Sequence, residues 1–364
     1  MKISEITAAL EKLAPLAYAE DFDNTGLLVG NQHAEVSKIL VTHDTLETVV
    51  DEAIEKGANL IVSFHPILFT GLKKITGKTY VERVVMKAIQ HEINIYATHT
   101  ALDNSRLGVN YAIAQQLELK NSTILLPKKN SIFQLVTYAP KGHASIVRKA
   151  LAEAGAGSIG NYDACSFNVE GIGTFRPNNQ ANPYIGEIGK IQYENEIRIS
   201  VIFEIHKKHE VLKALLDSHP YEEVAYEVMA LENENPTIGM GMIGELENAM
   251  SETDFIQFLK EKMKTAVVRH SALLDKPIQK VAVLGGSGSF AIPAAIGQQA
   301  DAFVTADLKY HDFYQAENKI LLTDIGHYES ERYTKDLLSA YLSEKFPNFA
   351  VLKSEINTNP VHYS

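Results

Sequence analysis

Ser37-Lys-Ile-Leu-Val-Thr-His-Asp-Thr-Leu-Glu-Thr-Val-Val-Asp-Glu-Ala-Ile-Glu-Lys-Gly-Ala-Asn-Leu-Ile-Val-Ser63 is the stretch that decides the fold. Residues 37–42 and 59–63 are short apolar runs, the length of buried strands, and residues 46–56 between them have helical spacing. The alternation continues with a helix over 80–91, a strand over 93–98 and a helix over 106–119. It returns late in the chain, with a helix over 253–264 and strands over 280–284, 302–305 and 320–323, the last two each followed by a helix. Strand–helix–strand units at this spacing call for right-handed crossovers and a mainly parallel sheet covered on both faces. Residues 3–13 read as a further helix, and 18–30 as a loop.

Between these outer thirds the texture changes. Strands are expected at 132–138, 163–169, 197–205 and 224–231, with helices at 143–154 and 208–218. That order is the ferredoxin-like split βαβ pattern. A glycine-rich loop is expected over 171–186, and a glycine-rich connector over 238–244. The fold class is therefore α/β. Residues 1–127 and 233–364 form one core of two similar halves around a cleft, and residues 128–232 are an inserted α+β domain.

At 364 residues, two or three domains are expected. The apolar fraction of 45% and charged fraction of 22% are those of a soluble globular protein. A net charge of −11 argues against a protein built to grip a nucleic-acid backbone. The single cysteine, Cys165, excludes an internal disulfide and a cysteine-rich metal site, and suits a reducing cytosol. The first residues lack the apolar core of a signal peptide, and no run approaches the ~20 apolar residues of a membrane helix. A cytoplasmic location is expected.

In open α/β sheets, ligands bind beyond the carboxyl ends of the strands. The second strand ends in Ser63-Phe-His65-Pro66, the third in Thr98-His99-Thr-Ala-Leu-Asp103, and the last in Asp324-Ile-Gly-His327 with Glu331 one turn on. His327 and Glu331 alone fit a surface pair that merely supports its helix. Three strand ends that all deliver imidazole or carboxylate point instead to a divalent-metal shell drawn from His65, His99, Asp103, His327 and Glu331. His43-Asp44 also ends a strand, but is weighted well below these. Gly285-Gly-Ser-Gly-Ser289 lacks the Gly-Lys-Ser/Thr of a Walker loop and reads at most as one wall of an anion-binding cleft. Asp307, with Lys309 and His311, either lines that cleft or caps the next helix.

The chain resembles the GTP cyclohydrolase I type 2 homologues, the NIF-three-like family, over nearly its whole length. The resemblance rests on Asp23-Asn-Thr-Gly-Leu-Leu-Val-Gly30, Phe64-His-Pro-Ile-Leu-Phe69, His99-Thr-Ala-Leu-Asp103, Thr305-Ala-Asp-Leu-Lys-Tyr-His311 and Gly326-His-Tyr-Glu-Ser-Glu331. It implies a dinuclear centre ligated by His65, Asp103, His327 and a bridging Glu331, holding one or two divalent ions per subunit. Zinc is expected first, with iron or manganese as the other candidates. It also implies a toroidal homohexamer and a PII/CutA-like insert. Phe64 departs from the many members with a second histidine there, so the second ion is expected to bind incompletely. His99 is the expected proton-transfer residue. The implied activity is metal-dependent hydrolysis, in the family's terms the opening of the GTP imidazole ring, on a small-molecule or nucleotide substrate. The alternatives are a non-enzymatic metal-binding regulator or scaffold, and a two-metal phosphoesterase.

Overall fold

Ile39–Thr42, Leu60–Ser63 and Asn94–Ala97 are buried along their whole lengths, which fits strands covered on both faces. They pair in parallel, Ile39 opposite Leu60 and Leu60 opposite Asn94. In the computed structural model, which describes residues 1–364, these strands form the middle of a five-stranded sheet. Its edges are Gly26–Val29, antiparallel to Asn94–Ala97, and Val351–Lys353, parallel to Ile39–Thr42.

A second sheet of six strands has a parallel centre of Ile278–Ser287, Ala302–Ala306 and Leu321–Asp324. Arg269–His270 flanks it on one side, and Asn235–Met250 and Lys120–Lys128 on the other. One apolar cluster takes residues from both sheets, among them Leu60, Val62, Tyr96, Val281 and Val304. The helices Ile3–Leu13, Val109–Gln116, Glu252–Met263 and Thr334–Lys345 add Leu10, Ile113, Phe255 and Leu342 to it. Fully burying a side chain such as Phe255 contributes roughly 1.5–3 kcal/mol. Separate clusters cover the other face of each sheet. Both sheets belong to one compact unit, residues Met1–Lys128 with Pro236–Ser364.

The other unit is Lys129–Asn235. Its strands Phe167–Phe175, Gln192–Glu204, Ile132–Pro140 and Tyr226–Leu231 lie side by side in that order, every pair antiparallel. With helices Ala144–Glu153 and Lys208–Ser218, this is the strand–helix–strand, strand–helix–strand arrangement of a ferredoxin-like sheet. Leu135, Val147, Leu151, Ile199 and Leu215 form its own core.

Several expectations need correction. Residues 26–29 form a strand inside the expected loop. The first part of the glycine-rich loop belongs to the strand Phe167–Phe175, with Gly171 opposite Glu196. Residues 238–244 are not a connector but the middle of a 16-residue strand. Gly239 and Gly241 have positive φ there, and a Cβ would collide with the carbonyls of Leu126 and Val283, so only glycine lets the strands approach. Ala302–Ala306 is followed only by the 3₁₀ turn Asp312–Ala316. The single helix expected after the strand over 320–323 is two, His327–Glu331 and Thr334–Lys345. No helix is long and apolar enough to cross a membrane.

Candidate metal centre

The carboxyl ends of the two parallel sheets meet. His65, just past Leu60–Ser63, brings its Nε2 to 3.5 Å from the Nε2 of His327, just past Leu321–Asp324. Glu331 is one helical turn beyond His327, which puts both side chains on one face. Its Oε2 lies 3.1 Å from His327 Nε2, 3.2 Å from His65 Nε2 and 3.3 Å from His43 Nε2. The Glu331 side chain is only 5% exposed, yet neither Oε2 nor His43 Nε2 has a partner in hydrogen-bonding geometry. Leaving such groups unpaired in an interior costs about 1–3 kcal/mol each.

Each imidazole is held from behind by a carboxylate. Asp44 takes both His43 Nδ1 at 2.9 Å and His65 Nδ1 at 2.8 Å, and accepts from Thr358 Oγ1 at 2.7 Å. Asp307 takes His327 Nδ1 at 2.7 Å, and also accepts from Ser287 Oγ. Although burial works against its charge, the two imidazoles hold Asp44 far below the usual carboxylate range. Asp307 is likewise lowered, first by its bond to His327. Ionised carboxylates only accept, so each Nδ1 donates a proton to its carboxylate and each Nε2 faces the site.

Burial disfavours the charged form of His65 and His327, but the carboxylates outweigh it and raise them to about 9 and about 11. Glu331 is pushed well below its ordinary value against the effect of burial, by His327, His43 and His65. The site concentrates negative charge and collects positive charge around it.

Asp103 ends the short helix His99–Asp103 and is half-buried, with a buried, unpartnered Oδ1. Burial, then the charge of Glu331, raises it well above the carboxylate range. His65, His327 and Glu331 have donor atoms all within 4.8 Å of one another, as do His43, Asp44 and His65. Asp103 is outside both of these tight groups but feels the charges of Glu331, His65 and His327. His99 is also outside them. Its Nδ1 is 2.8 Å from Asp23 Oδ1, its ring centroid 5.3 Å from that of His65, and its φ of 29° is one that side chains rarely adopt.

The donor set fits a divalent ion. With ligand bonds of about 2.0–2.1 Å, two ligands on one tetrahedral ion lie roughly 3.3 Å apart. The separations of 3.1, 3.2 and 3.5 Å among Glu331, His65 and His327 match that spacing. Imidazoles backed by carboxylates are the arrangement by which proteins orient metal ligands.

In the glycine-rich 285–289 stretch the first two amides are taken, Gly285 N donating to Asn110 Oδ1 and Gly286 N to Ser330 Oγ. Gly286, at φ 66°, is glycine because a Cβ would collide with Glu331 Oε1. Of the two readings of Asp307, its contact is with His327 at the site, while Asp312 takes the Lys309 N–H. His43 and Asp44, weighted below the other strand ends, lie beside the site. They belong to none of the quoted motifs, and the available signal was their position beside Phe64-His65 on the neighbouring parallel strand, where Thr42 pairs with Ser63.

The model of the Duf34/NIF3 (NGG1p interacting factor 3) family matches residues 1–360. A Bacillus subtilis protein named GTP cyclohydrolase 1 type 2 homolog is 39% identical over 362 residues, covering 98% of this chain and 97% of the relative. Among solved structures, a Bacillus cereus protein related to NIF3 superposes with a TM-score of 0.85 at 36% identity, covering 100% of this chain and 99% of its own. A Staphylococcus aureus protein does so with a TM-score of 0.79 at 32% identity, with the same coverage.

Proposed function

The chain belongs to the Duf34/NIF3 family, and on that premise we propose that it is a divalent-metal-dependent hydrolase acting on a nucleotide ring. The observation that carries the proposal is Glu331 Oε2, buried and unpartnered, faced by the Nε2 atoms of three imidazoles. His65, His327, Glu331 and Asp103 would hold the metal, zinc in the first instance. A divalent ion supplies positive charge and Lewis acidity at the reacting group.

The chain's own residues do the rest. Asp44 and Asp307 fix the tautomer of His65 and His327, and the closely apposed Gly286 keeps Glu331 in place. Asp23 holds His99 at Nδ1, which leaves His99 Nε2 as the ring atom free to carry a proton to or from a substrate. The printed name of the relatives makes GTP the first substrate to try. The inserted unit is read as PII/CutA-like and the assembly as a homohexamer, which light scattering on the eluting peak of a sizing column checks.

The test is turnover. Zinc-, iron- or manganese-loaded protein is offered GTP and other nucleotides, with Glu331→Gln alongside. Metal-dependent product formed by the wild type and not by Glu331→Gln supports the hydrolase. Metal binding with no turnover of any nucleotide moves the protein to the class of metal-binding regulators.

A further inference from the structure

We propose that His43 is a metal ligand of this chain, supplying from the neighbouring strand the imidazole that Phe64 does not provide. The inference rests on the metal reading above.

Position comes first. Thr42 and Ser63 pair in register on adjacent parallel strands, and just past the strand ends Phe64 N donates to Thr42 O and His65 N to His43 O. Residues 43 and 64 are therefore lateral neighbours at the two strand ends, and their rings lie 5.6 Å apart. Both positions leave the same end of the sheet, and the His43 ring reaches Glu331 from there, so an imidazole moved from one strand end to the next keeps its destination. Phe64 is completely buried and packs against His43, His65 and His99, filling the space without offering a donor atom.

The surroundings of His43 do not suit a mere spacer. The residue is 4% exposed, its Nε2 has no hydrogen-bond partner, and that atom lies 3.3 Å from Glu331 Oε2, itself unpartnered. A leucine or phenylalanine would fill the volume at no polar cost, whereas a buried ring nitrogen without a partner is unfavourable. A cation between Nε2 and Oε2 satisfies both. Asp44 grips His43 and His65 alike, one carboxylate oxygen for each Nδ1, so the two rings are oriented as a matched pair. Tyr328, edge-on to His43 at 5.2 Å between centroids, restricts the ring further.

The experiment is zinc analysis of the metal-free chain after reloading and dialysis, by elemental content and by affinity. The wild type is expected to hold about two ions per chain, the complement of a two-metal site. His43→Ala, and the volume-preserving His43→Gln should the first fail to fold, are expected to lose one ion or at least tenfold in the affinity of the weaker one. The double variant His43→Leu/Phe64→His is expected to recover it, since it moves the imidazole to the neighbouring strand. Unchanged zinc content and affinity in His43→Ala or His43→Gln overturns the role of His43 and leaves the metal centre standing. Wild-type protein that takes up no zinc overturns both.

Discussion

Glu52 and Glu331 are carboxylates of the same unit, both almost fully buried, in opposite surroundings. Glu52 accepts from Lys56 Nζ at 2.8 Å, from the Glu355 backbone N–H at 2.8 Å and from the Ser354 hydroxyl. It ties the helix Glu47–Lys56 to the C-terminal segment, and both its oxygens are satisfied. Glu331 is faced by imidazole nitrogens alone, and its Oε2 has no hydrogen bond. A buried carboxylate kept for structure collects N–H and O–H donors, whereas one kept for a cation collects groups that can share that cation.

The largest effect that could break this contrast is on stabilisation by zinc. Zinc at about a thousand times its dissociation constant stabilises a fold by roughly 4 kcal/mol. Thermal unfolding of the wild type should show a rise of that order, and Glu331→Gln should show almost none. An equal zinc response in both would put Glu331 in the same class as Glu52.

Glu52→Gln should do the reverse. It leaves the Ser354 and Glu355 donors poorly matched and should cost about 1–3 kcal/mol in urea unfolding. Its zinc-induced rise should match that of the wild type. A lost zinc response would show that the two regions are coupled.

Acidity sharpens the comparison further. In the metal-free chain His65 and His327, held at about 9 and about 11, carry protons at neutral pH that zinc must displace. Apparent zinc affinity should therefore rise from pH 6 to pH 8, about tenfold per unit for each proton displaced, or about 1.4 kcal/mol. The metal-free fold has the opposite sign. The raised value of His65 contributes stability that is complete below about 6.5, its ordinary value, and is lost as pH rises through about 9. Calorimetric titrations at several pH values read the first trend, and urea unfolding without metal the second.

The smallest effect expected is on metal-free stability in Asp103→Asn. Burial, then the charge of Glu331, raises Asp103 well above the carboxylate range, which disfavours its charged form, and the neutral amide has nearly the same shape. Urea unfolding should move by less than about 1 kcal/mol, while zinc affinity falls.

Much of this was legible in the sequence, for identifiable reasons. The short, largely apolar runs within 37–42, 59–63 and 93–98 read as strands by their length, and the structure buries 39–42, 60–63 and 94–97 as strands, so the residues at their ends were legible. His65, His327 and Glu331 follow such runs closely, so their convergence was foreseeable. The partners of the imidazoles were harder to see. Asp44 meets His65 across 21 positions and Asp307 meets His327 across 20, distances at which chain spacing carries no local signal. Composition alone suggests a connector at the glycines 239 and 241, while the folded chain uses them for close approach. Phe64 and His43 stand at the ends of neighbouring strands, a juxtaposition that chain spacing does not carry.

The most direct test is anomalous diffraction at the zinc edge from crystals of the reloaded protein. The account predicts a peak in contact with Glu331 Oε2 and with the Nε2 atoms of His65 or His327. Zinc found only elsewhere on the chain, with Glu331 still facing bare imidazoles, would contradict it.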